Sequence, residues 1–107
     1  MNQEKFKRVF NELKTDRRNV DYHSIIKESV ERNSVENTRV LAIEEMGELT
    51  QQLTKALRGK KDEYHLLEEL ADVLICIDKL CAHEGISRAD LYTALHVKAL
   101  EIEKEKK

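Results

Sequence analysis

Apolar residues recur along most of this chain at intervals of three and four, the spacing that lines one face of an α-helix. Near the start, Phe6, Val9, Phe10 and Leu13 follow it with Lys and Glu between them, predicting a short amphipathic helix within Met1–Asp16. Thr15–Val20 breaks the period and reads as a linker. Asp21 stands where an N-cap belongs, ahead of a helix over Tyr22–Arg32 with Ile25, Ile26 and Val30 facing inward. Ser34 opens a long helix reaching Arg58, with Glu36 in its first turn favoured by the helix dipole and Gly59 at C′. Asp62 opens another, which stops at Gly85. Ser87 and Asp90 form a capping box for the last, whose inward and flanking positions are Leu91, Ala94, Leu95, Val97, Lys98 and Ile102. The alternating charges of Glu101–Lys107 predict a fraying tail.

The two long helices dominate. The stripe Ala42, Met46, Leu49, Leu53, Leu57 on one and Leu66, Leu70, Val73, Leu74, Ile77, Cys81 on the other are expected to pack together as an antiparallel hairpin. Beside them run acids without bases. Leu41–Leu53 holds Glu44, Glu45 and Glu48 with no Lys or Arg, and Leu66–Asp78 holds Glu68, Glu69, Asp72 and Asp78, again with none. Residues three or four apart share a helical face, so Glu44, Glu45 and Glu48 fall in one arc and Glu69 with Asp72 in another. Packing the stripes brings these five carboxylates along one edge.

Composition supports an all-α reading. Of 107 residues 37% are charged and 40% hydrophobic, and with no Pro and three Gly little interrupts a helix. The length predicts one domain, 1–107, in which 1–20 are a terminal helix and linker and 21–107 the core. A net charge of −2 argues against nucleic acid as partner, since neutralising phosphates needs a basic surface. Cys76 and Cys81, i and i+5, form neither a CxxC motif nor a disulfide framework, and read as reduced core thiols in the cytoplasm. Neither a signal peptide nor a membrane span is expected.

Carboxylates gathered in a half-buried groove repel one another unless a cation neutralises them. An all-oxygen site without Cys or His suits a hard ion, and Mg²⁺ takes a few carboxylates together with waters and substrate phosphates. Glu45, Glu48, Glu69 and Asp72 are the candidate metal ligands. The plainer alternative is a solvated acidic helix face. Lys55 and Lys79 each follow an acid by seven residues (Glu48 and Asp72), which places them two turns along nearly the same face, as phosphate contacts or as ordinary surface lysines. Gly47, costing about 1 kcal/mol against Ala in mid-helix, marks either a close approach by another backbone or ligand or a tight helix crossing. Tyr22 suits base stacking or a structural role. His65, three after Asp62 and four before Glu69, has the spacing for a metal role, but a lone exposed His at a helix start is the preferred reading. The N-terminal helix is a packed terminal element or a lid.

Glu44-Glu45-Met46-Gly47-Glu48-Leu49 followed by Glu68-Glu69-Leu70-Ala71-Asp72-Val73-Leu74 resembles the E-E-x-x-E then E-x-x-D signature of the MazG-like all-α nucleoside triphosphate pyrophosphohydrolases. The resemblance covers Arg39–Leu80. It implies a four-helix-bundle-like MazG-type fold built on the long hairpin, a nucleoside triphosphate substrate cut between the α- and β-phosphates, and Mg²⁺ as cofactor, with Mn²⁺ able to substitute. Glu44, Glu45 and Glu48 then become the catalytic carboxylates, Glu44 orienting or deprotonating the attacking water. In the family the last helix commonly carries a Lys, an Asn and an Arg toward substrate. Lys98 fits the first, whereas Glu101-Ile102-Glu103-Lys104 offers no Asn or Arg.

Two other classes compete. A di-iron carboxylate protein would need Glu-x-x-His, which occurs nowhere in the chain. A non-enzymatic helical module, or an inactive family member, would offer its acidic face to a basic partner. Stripes of this extent exceed what one small bundle buries, which predicts a homo-oligomer, dimer or tetramer, with the Phe6/Phe10 and Tyr92 faces as contributors.

Overall fold

The computed structural model describes residues 1–105, and among them all regular structure is helical: α1 (Gln3–Thr15), α2 (Tyr22–Glu31), α3 (Val35–Leu57), α4 (Glu63–Glu84) and α5 (Arg88–Lys104). Each start is fixed by a side chain accepting from the first turn's otherwise unpaired N–H groups. Asp21 caps Ser24, Ser34 caps Asn37, Asp62 caps His65 and Ser87 caps Asp90, all as the sequence predicts, and Asn2 does the same for Glu4 and Lys5. Gly59 and Gly85 end α3 and α4 at φ 76° and 73°, the left-handed region a side chain would strain. Helical order continues through Lys104, so the expected fraying does not begin at Glu101; positions 106 and 107 of that tail lie outside the described residues.

α3 and α4 form the hairpin, α2 lies against α4, and α1 packs on α4 near its start. The α1 contact is aromatic. Phe6 stacks on Phe10 with centroids 6.0 Å apart, Phe10 meets Tyr64 edge-on at 5.9 Å, and Lys7 lies over the Tyr64 ring. At the other end of α4, Tyr22 donates from its hydroxyl to Asp78 Oδ2 at 2.5 Å, with Arg88 4.0 Å from the same carboxylate. Tyr22 therefore has a structural role, and burial with that hydrogen bond pushes its phenol up to about 12.

The hairpin uses the expected stripes only in part. Ala42 is buried and Leu49, Leu66, Val73, Ile77 and Cys81 are half-buried as expected, but Thr38, Gln52, Glu68, Glu69 and Cys76 are buried too, and Glu45 and Asp72 are half-buried, so polar and acidic positions share the covered face. Among the described residues only Ala42 and Cys76, each 3% exposed, are fully buried apolar residues. Met46, Leu53, Leu57, Leu70 and Leu74 of the predicted stripes remain open, Leu57 at 87% and Leu74 at 64%. The physical reason is that α3 carries two apolar seams. Ile43, Met46, Thr50, Leu53 and Leu57 repeat at three and four just as the covered set does, and all five stay exposed among the described residues. Ile25 of α2 also stays exposed, and of the positions expected inward on α5 only Leu91 is half-buried.

The result is an open molecule. A compact fold of 12.5 kDa exposes about 6,200 Å², whereas this chain exposes 8687 Å². Its radius of gyration is 16.4 Å, against about 13 Å for a compact domain of this length.

Candidate metal centre

The acids meet, with Glu69 buried, Glu45 and Asp72 half-buried in the hairpin seam, and Glu48 exposed at its rim. Glu45 and Glu48 hang from the middle of α3 and Glu69 from the first half of α4, and one carboxylate oxygen of each lies within 4.8 Å of the others. Asp72, one turn further along α4, lines the same cavity of about 420 Å³, as do Glu68, Gln51, Gln52, His65 and, from α1, Gln3. Gln3 Nε2 donates to Glu68 Oε1, so the first turn of α1 closes one side.

The electrostatics are strained. Glu69 is 5% exposed, and its Oε2 and that of Glu45 are buried without a hydrogen-bond partner. Burial pushes Glu45 up to about 7, reinforced by the charges of Asp72, Glu48 and Glu69. Glu69 moves the same way through burial, the hydrogen bond with Glu48, and the charges of Glu48 and Asp72. Asp72 is raised as well, chiefly by burial, while a hydrogen bond with Glu45 and, less strongly, the N-terminal and Lys79 ammonium charges pull it back. Deprived of water and facing each other, these groups hold negative charge only at a cost that a cation would remove. The donor set is all oxygen, with two buried oxygens unpartnered, and so fits a hard divalent ion.

The other predicted site residues are placed as follows. Glu44 is exposed and stands outside the cavity. Lys79 is half-buried two turns beyond Asp72 and does not line the cavity, and its ammonium acts on Asp72 only weakly. Lys55 is half-buried but does not line the cavity, and Lys98 is exposed on α5. Of the other cavity residues, Gln3, Gln51 and Gln52 carried no charge to notice and Glu68 was only a letter of the motif. His65, for which exposure was preferred to a metal role, is half-buried and lines the cavity. The signal for Gln52 was its register, seven after Glu45.

Compared with family models, with curated proteins and with solved structures, the chain finds no match. Among the described residues no helix is long and apolar enough to cross a membrane.

Proposed function

We propose that this protein is a Mg²⁺-dependent nucleoside triphosphate pyrophosphohydrolase that releases a nucleoside monophosphate and pyrophosphate, works as a homo-oligomer and acts in the cytoplasm. The observation that carries the reading is the convergence of Glu45, Glu48 and Glu69 to within 4.8 Å, with Asp72 in the same cavity. These are the four positions that the resemblance to the MazG-like enzymes singles out.

Glu45, Glu48, Glu69 and Asp72 would hold the ion. When bound, it supplies charge neutralisation to phosphate oxygens and acidifies coordinated water. The chain's own contributions are positional. The seam buries Glu69 and one oxygen of Glu45, and α1 walls one side through Gln3.

The oligomer rests on the open seam. Roughly 2,500 Å² of surface beyond that of a compact chain is the scale of an obligate interface. Gly47 lies beside Met46, and a Cβ there would find no neighbouring atom within 4 Å, so no helix crossing within the chain calls for the glycine. Pyrophosphate release from a panel of nucleoside triphosphates with Mg²⁺ tests the enzymatic reading. Glu48→Gln and Asp72→Asn should each abolish it, and unchanged release in both would remove the site.

A further inference from the structure

We propose that His65 is a positioning residue which, together with Gln52, fixes the Glu69 carboxylate so that its second oxygen stays turned into the acid cavity. This deepens the metal reading and rests on it. His65 sits in the first turn of α4, where Asp62 Oδ1 accepts from its backbone N–H at 3.1 Å and holds the start of the helix in place. One turn on, its Nε2 is 3.4 Å from Glu69 Oε1. Across the seam the same Nε2 is 3.4 Å from the amide nitrogen of Gln52, a residue 4% exposed.

A single ring nitrogen facing two polar groups must offer both the same thing. Carrying hydrogen, it can serve two acceptors, the carboxylate of Glu69 and an amide oxygen. Gln52 has that oxygen to give, because its Oε1 is buried and without a partner, and a half-turn of the amide exchanges oxygen for nitrogen at the ring. The ring then bridges α3 and α4 with its N–H shared between Gln52 and Glu69. Glu69 Oε1 is thereby occupied, and Glu69 Oε2, buried and unpartnered, is the oxygen left for an ion. Groups that orient a ligating carboxylate in this way typically change metal affinity 10- to 100-fold when lost, roughly, without being ligands themselves.

The test compares two side chains that both fill the space, of which only one can donate: His65→Gln and His65→Leu, with Gln52→Met as a variant on the opposite helix. Mn²⁺ binding is titrated by electron paramagnetic resonance without nucleotide, and thermal melts are recorded alongside. The inference expects His65→Gln to bind within about threefold of wild type, and His65→Leu to bind about 10- to 100-fold more weakly at an unchanged melting temperature. Gln52→Met should fall between them. Equal affinities in the two His65 variants, or wild-type affinity in His65→Leu, overturn the positioning role while leaving the metal site standing. If His65→Leu melts early, Gln52→Met decides in its place, and wild-type affinity there is the overturning result. A wild-type protein that binds no Mn²⁺ defeats the metal reading itself.

Discussion

Replacing Glu45 by Gln should make the protein more stable and empty its site of function. In the folded state burial, reinforced by Asp72, Glu48 and Glu69, raises Glu45 from 4.5 to about 7. An acid with a raised folded pKa binds its proton more tightly folded than unfolded, so its contribution is harmless below pH 4.5 and turns increasingly unfavourable as pH rises toward 7. At 1.36 kcal/mol per pKa unit the shift corresponds to about 3 kcal/mol at most, and partial exposure of the site reduces this to roughly 1–3 kcal/mol. Gln keeps the shape and loses the charge. Without metal at pH 8, Glu45→Gln should therefore raise the melting temperature by roughly 5–15 °C, and the advantage should shrink as the pH falls to 5. Saturating Mg²⁺ should erase it from the other side, since an ion at 100 times its dissociation constant stabilises wild type by about 2.7 kcal/mol while the variant gains little. Calorimetry at pH 5 and 8, with EDTA and with Mg²⁺, gives all four values. A variant that melts at or below wild type at pH 8 in EDTA refutes the argument that the acids are held together against their repulsion.

Other expectations concern packing. Leu53→Lys or Met46→Lys places charge on the open seam and should give monomers by light scattering at concentrations where wild type associates. Gly47→Ala should gain about 0.5–1 kcal/mol of helix propensity yet weaken association, which sedimentation at several concentrations separates. Phe10→Ala removes two ring contacts, together about 1–3 kcal/mol, and hydrogen exchange should then show α1 amides losing protection before those of α4. In wild type, stability without Mg²⁺ should fall as pH rises from 5 to 8 and recover when the ion is added.

The sequence was most legible where chemistry is local. Ser34, Asp62 and Ser87 each mark a helix start because a short oxygen-bearing side chain there satisfies N–H groups that nothing else reaches. Gly59 and Gly85 mark ends because only glycine takes their φ freely. The pairing of Glu45 and Glu48 with Glu69 and Asp72 was also readable, from spacing alone. What could not be read was which of two apolar seams on α3 the hairpin would use. Periodicity reports that Ile43, Met46, Leu53 and Leu57 share a face, but not whether the cover is α4 or another molecule. Of the expected stripe Ala42 and Leu49 do face inward, but Glu45 and Gln52 share that covered face where Met46, Leu53 and Leu57 were expected. The half-burial of His65 depends on the same register, which its spacing to Glu69 alone does not report.

All four candidate ligands come from α3 and α4 of one chain, whereas the leucines face outward. In an assembly of two copies, each subunit would carry a complete centre and lend its neighbour only support. Co-expressing an Asp72→Asn subunit with wild type would then yield hybrids with half the turnover rather than poisoned complexes, and a damaged copy would be tolerated in proportion to its abundance.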